Sequence, residues 1–134
     1  MMERFCPACG QPLIERIPDG DNRLRQVCLS CHHIDYENPK IVTGVLPVWK
    51  GSILLCKRSI EPRAGFWTLP SGFMECRETL EEGALREAKE EAHLSLKLRN
   101  LYAVYSLPEI SQVYFLFLAD IQDCLLYTSP SPRD

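Results

Sequence analysis

Apolar and polar positions divide the chain near Asn38-Pro39. Residues 1–35 are short, turn-rich and punctuated by cysteine pairs, whereas apolar runs begin at Ile41. Ile41–Trp49 and Ile53–Cys56 are aliphatic or β-branched runs around Lys50-Gly51-Ser52, a pattern that predicts two strands joined by a hairpin turn. Pro47 cannot donate to a ladder, so it predicts an edge position or a bulge in the first of them. From Thr79 to Ala92 the period changes to that of a helix, with Leu80, Ala84, Ala88 and Ala92 on one narrow face. Thr79 is placed to cap the first turn and Glu82 to reach back to it. Leu96–Tyr105 and Gln112–Ala119 predict two more strands. The order strand, strand, helix, strand, strand argues for an α/β or α+β sandwich.

Length and charge narrow this picture. A chain of 134 residues holds one compact domain of about 100 residues and a small appendage, here 1–37 followed by 38–123. The net charge of −3 lacks the basic excess that neutralises phosphate backbones, so nucleic acid is not the expected partner. The first residues carry no apolar signal region and no stretch reaches the roughly 20 apolar residues of a membrane span. The expectation is a soluble, cytoplasmic protein with no membrane partner. In that compartment seven cysteines point to metal rather than disulfides.

The cysteine spacing supports this. Cys6-Pro7-Ala8-Cys9 and Cys28-Leu29-Ser30-Cys31 are two C-x2-C knuckles with 18 residues between Cys9 and Cys28. Four thiolates close a tetrahedral shell around Zn2+ and leave no open position, which makes the metal structural. A redox pair is the competing reading of the same cysteines. His32 and His33 read as surface residues beside a filled shell, Cys56 as a small buried hydrophobe and Cys76 as a loop cysteine.

Glu87, Glu90 and Glu91 stand at i, i+3 and i+4, on one face of one helical turn. Such crowding repels unless a cation sits there, and hard oxygen donors suit Mg2+ or Mn2+. Arg86 can pair with Glu82 or Glu90 and steady part of the cluster. A solvated acidic helix face is the bland alternative.

The surrounding residues decide between these. Gly72, then Glu78, then Arg86-Glu87-Ala88-Lys89-Glu90-Glu91-Ala92-His93-Leu94 closely resembles the Nudix box, G-x5-E-x7-R-E-U-x-E-E-x-G-U with U apolar. His93 departs from it, standing where the family has a glycine in a left-handed helix cap, a conformation histidine tolerates better than most residues. The small Ala88 at an apolar position is the other departure. The resemblance implies a loop-helix-loop packed on a mixed sheet in an α/β/α sandwich. Glu87, Glu90, Glu91 and the Gly72 carbonyl would hold divalent ions, Glu78 and Arg86 would support them, and Glu90 is the first choice for general base. Lys57-Arg58 and Glu61–Gly72 also resemble the family's approach to the box, which makes Arg58 and Arg63 candidates to meet phosphates. Trp67, Tyr105 and Tyr114 fit core packing at least as well as pocket walls.

A zinc ribbon followed by Tyr36-Glu37-Asn38-Pro39 and this domain is similar to NADH pyrophosphatases and to a group acting on ADP-ribose or flavin dinucleotide. A Ser-Gln-Pro-Trp-Pro-Phe-Pro-like motif of the NADH group is absent from Ala103–Tyr114, so ADP-ribose or flavin dinucleotide is the expected substrate and NADH less so. The resemblance also implies homodimers. The competing function is a non-catalytic binding module on a Nudix-like scaffold, which would not need crowded carboxylates. Residues 124–134 resemble the translation of a sequencing adapter; on that reading the family's last strands and closing helix are missing, and the sheet exposes an unpaired edge.

Overall fold

The computed structural model describes residues 3–57 and 67–124; Arg58, Arg63 and residues 125–134 lie outside the described residues. The chain divides into two compact units, Met1–Asn38 and Pro39–Asp134.

In the first unit, β1 (Leu13–Arg16), β2 (Arg25–Cys28) and β3 (Ile34–Asp35) form an antiparallel sheet in that order. Its interior is small, built of Cys6, Leu13 and Cys28. Each cysteine knuckle closes in the same way: Gly10 N–H donates to the Cys6 carbonyl at 2.8 Å and His32 N–H to the Cys28 carbonyl at 2.9 Å. Both closing residues are left-handed, Gly10 at φ 83° and His32 at φ 68°. His32 therefore holds the position that Gly10 holds in the first knuckle, a backbone duty that needs no imidazole.

The second unit is built on β4 (Lys40–Trp49), which Lys50 and Gly51, both at positive φ, turn into β5 (Ser52–Ile53). Two successive left-handed residues match the twist of a two-residue hairpin. The strand expected over Ile53–Cys56 is split, because Cys56–Lys57 (β6) pairs instead with Trp67–Thr68 (β7) in a separate two-stranded sheet. Then follow β8 (Ser71–Phe73), α1 (Leu80–Ala92), β9 (Leu94–Leu107), a 3-10 turn at Pro108–Ile110 and β10 (Gln112–Cys124). The main sheet runs β5-β4-β10-β9 with β8 also on β4; β4 and β10 are parallel and the other pairs antiparallel.

Pro47 departs from the expectation of an edge or bulge. It lies in an interior strand, opposite Ala119 of β10, fully buried. On its other side the Leu54 N–H donates to the Pro47 carbonyl at 3.0 Å, and the ladder to β5 ends there. The missing proline N–H thus falls where pairing stops.

The helix forms as its caps dictate. Thr79 Oγ1 accepts from Glu82 N–H at 3.0 Å while Glu82 Oε1 accepts from Thr79 N–H at 2.8 Å, two orphan donors satisfied reciprocally. His93 ends the helix at φ 54°, ψ 40°, left-handed, with its N–H on the Lys89 carbonyl. Ala84 and Ala88 are fully buried against Val45, Phe117 and Ala119, and Ala92 packs with Leu94 and Ile121. The small side chains let the helix lie close to the sheet. Gly83 marks a close approach, since a Cβ there would meet Thr43 Cγ2 at 2.6 Å. Thr43, buried completely, donates its hydroxyl to the Leu80 carbonyl at 2.7 Å and ties β4 to the first helical turn. Among the described residues no helix is long and apolar enough to cross a membrane.

Candidate active site and metal centre

The four cysteine sulfurs of the first unit all lie within 4.8 Å of one another. Cys6 Sγ is 3.7 Å from Cys31 Sγ, and Cys9 Sγ is 3.4 Å from Cys28 Sγ. A tetrahedron with Zn–S bonds of about 2.3 Å has S···S edges of about 3.8 Å, so the donor set fits that ion in type, number and spacing. The Cys28 thiol is lowered to about 6, chiefly because the Cys31 backbone N–H hydrogen-bonds to it. The backbone N–H of Gln11 also lowers Cys9, yet its hydrogen bonds with neighbouring thiols, Cys28 first, and its desolvation push it up to about 12. Four thiolates cannot coexist here without a cation to hold them.

In the second unit the acidic residues of α1 are ordered by Arg86. Its Nε and Nη2 donate to the two oxygens of Glu78 at 3.0 and 2.9 Å, a bidentate pair. Nη1 reaches Glu87 at 2.9 Å and Glu90 at 3.3 Å, and Nη2 also reaches the Phe73 carbonyl at 3.1 Å. Glu82, one of the two expected partners of Arg86, is instead committed to the Thr79 cap. Glu78 takes a further bond from Glu75 N–H at 2.7 Å, which fastens the loop before the helix. The Arg86 guanidinium, and then the Glu75 N–H, hold the Glu78 carboxyl below the usual carboxylate range.

Of the three carboxylates, Glu87 is nearly enclosed, with its side chain 13% exposed, and Glu90 is open at 60%. A Cβ on Gly72 would collide with the Glu87 carboxyl group, so only glycine lets that carboxylate lie against the β8 backbone. Glu91 Oε1 accepts from the Ser71 N–H at 3.1 Å. The helix thus brings Glu87 and Glu91 to adjacent residues of β8, while Glu90 leans toward Arg86. Among the described residues the four cysteines are the group whose donor atoms all gather within 4.8 Å; the three glutamates do not gather so tightly. Oxygen donors beside a backbone that admits them suit a hard divalent cation in type.

Ser71 and the Phe73 carbonyl were not marked by spacing. They come to the site because β8 pairs with Val42–Gly44 of β4, a contact between segments distant in sequence. Of the two readings open for Tyr105 and Tyr114, core packing or pocket wall, the geometry favours the second: Tyr105 is 51% exposed, and both line a cavity with Ser71 of β8. Arg58 and Arg63 lie outside the described residues, as does any account of the Trp67 side chain.

Arg86→Met is expected to lower stability by about 2 kcal/mol, less than the 3–5 kcal/mol of a fully enclosed pair because Arg86 keeps 28% of its side chain exposed. For a domain of this size that is roughly 8–16 °C in Tm. Because Glu78 titrates below its ordinary value when folded, its contribution is present above about 4.5 and is lost as pH falls through the lower folded value. Acid titration of both proteins, followed by circular dichroism, should show a shallower loss below that pH in the variant. Equal stability across the range would remove Arg86 from this role.

Comparison with known proteins agrees with this geometry. The Nudix N-terminal family profile matches residues 4–37 and the NUDIX domain profile matches residues 38–126. The chain is similar to an ADP-ribose pyrophosphatase of Methanocaldococcus jannaschii, 42% identical over 74 residues, covering 55% of this chain and 44% of that protein. It is also similar to the NAD-capped RNA hydrolase NudC of Edwardsiella ictaluri, 30% identical over 118 residues, 87% of this chain and 44% of that protein. The chain spans 44% of the length of these two curated relatives. Among solved structures, a NUDIX hydrolase from Nitrosomonas europaea is 55% identical with a TM-score of 0.86, covering 90% of this chain and 68% of that one. With a family profile spanning residues 38–126 and the box residues gathered around one helix and one strand, the chain belongs to the Nudix hydrolase family.

Proposed function

We propose that this chain hydrolyses the diphosphate bridge of a nucleoside diphosphate joined to a second moiety, with ADP-ribose or flavin dinucleotide ahead of NADH. The observation that carries the reading is the Arg86 network, which joins Glu78, Glu87, Glu90 and the Phe73 carbonyl while Glu91 faces Ser71. A solvated acidic face has no use for an arginine tied to three carboxylates and a strand carbonyl. The similarity to an ADP-ribose pyrophosphatase over 74 residues, and the absence of the NADH-group motif from Ala103–Tyr114, support the substrate order.

Glu87, Glu90, Glu91 and the Gly72 carbonyl would hold Mg2+ or Mn2+, which when bound neutralises phosphate charge and lowers the pKa of a coordinated water. Glu90, open to solvent, would take the proton of an attacking water. The water oxygen bonds to one phosphorus as the bridging oxygen leaves with the other phosphate. Glu78 and Arg86 keep the helix and β8 in register through this exchange. In the first unit Cys6, Cys9, Cys28 and Cys31 would hold Zn2+ as a structural ion.

The test is product analysis with ADP-ribose, flavin dinucleotide and NADH, each with Mg2+ or Mn2+. Metal-dependent release of two monophosphates, fastest from ADP-ribose or flavin dinucleotide, is expected. A folded, zinc-loaded protein that turns over none of the three would move the reading to a binding module.

A further inference from the structure

A cavity of about 260 Å³ opens at Ser71, walled also by Leu69, Tyr105, Leu107, Tyr114 and Leu116. Alternation along β10 sends Phe115, Phe117 and Ala119 to the helix, which leaves Tyr114 and Leu116 on the opposite face of the sheet. Tyr105 stands directly across from Tyr114 on β9. Ser71 belongs to both places: it lines the cavity, and its N–H holds Glu91. Among the described residues no lining side chain carries a charge, so these walls offer a phosphate no cation. Its volume is below the roughly 300 Å³ of the smallest sites for whole drug-sized ligands, so it suits one moiety of a dinucleotide. Two cross-strand tyrosines among leucines offer flat apolar walls, and stacking on such rings is the ordinary means of holding a base.

We propose that the cavity walled by Tyr105, Tyr114 and Leu116 binds the flat heteroaromatic ring of the substrate, adenine or isoalloxazine, while the diphosphate lies at Glu87 and Glu91. This rests on the hydrolase reading and adds to it the residues that select the substrate. Tyr105 and Tyr114 are binding residues in this scheme and do not touch the reacting atoms.

The experiment titrates the full chain with adenosine, which carries the ring and no phosphate, and follows tyrosine fluorescence without added divalent metal. Adenosine should bind the wild type and Glu91→Gln alike, whereas Tyr105→Ala weakens binding about tenfold, the loss of one stacking contact. Tyr114→Leu, which keeps an apolar side chain, guards against a folding defect and should weaken it similarly. In hydrolysis, the same two variants should raise KM about tenfold with kcat within about threefold of wild type. Unchanged affinity in both variants overturns the proposal, as does absence of adenosine binding by the folded wild type. Displacement of adenosine by ribose 5-phosphate also overturns it, since the cavity would then hold the sugar side. Adenosine binding lost in the tyrosine variants of a chain that hydrolyses nothing leaves the cavity assignment standing and removes the hydrolase reading alone.

Discussion

Glu91→Gln is expected to lower kcat for diphosphate hydrolysis by roughly 10²–10⁴-fold, the range for loss of a group that acts in proton transfer or charge stabilisation at the reacting centre. Glutamine keeps the size of the side chain and an oxygen that can accept the Ser71 N–H, so the change removes the charge while that bond can persist. Melting should shift by no more than a few degrees. Glu82→Gln, on the same helix, is the matched control. Its capping bond to Thr79 is one that glutamine also makes, and kcat should stay within about twofold. Initial rates at saturating Mg2+ decide the matter. If both variants lose activity equally, the acidic face acts through net charge alone; if Glu91→Gln keeps the wild-type rate, Glu91 holds no ion that matters.

What was legible in the sequence was local. The helix, its Thr79 and Glu82 box and the left-handed His93 each depend on residues within one turn of each other, and spacing reports such contacts directly. The same is true of the Lys50-Gly51 hairpin and of the paired cysteine knuckles, whose chelating geometry repeats over a few residues. What was not legible depends on distant segments. Strand β8 has three residues and no alternation to read; it exists because Val42–Gly44 offers a ladder and Arg86 grips the Phe73 carbonyl. The partners of Arg86 could be narrowed by helical spacing only to Glu82 or Glu90. Glu78 lies before the helix, and it reaches Arg86 only because the loop folds back through the Glu75 N–H. Tyr105 and Tyr114 could not be assigned to core or pocket for a related reason: aromatic strand residues serve either face, and only the side taken by α1 determines which is packed.

Removing the metal from the cysteine cluster should have the largest structural effect, because the first unit has no other source of stability of comparable size. Its interior is Cys6, Leu13 and Cys28, and two of those three are ligand candidates. Phe5, Leu24, Leu29 and Tyr36 are each more than half exposed. One buried leucine and two thiols bury too little apolar surface to order a unit of this size. Binding of a structural Zn2+ supplies roughly 10–16 kcal/mol in small units of this kind. Chelation, or Cys28→Ser, should therefore abolish the amide protection of β1–β3. The second unit has its own core around Val45, Ala88 and Phe117 and should keep its protection. Hydrogen exchange resolved by segment reads both halves at once. Retention of β1–β3 protection after complete chelation would mean that hydrogen bonding and the small core hold the unit alone. Loss of protection in both units together would mean that the second depends on the first for its fold.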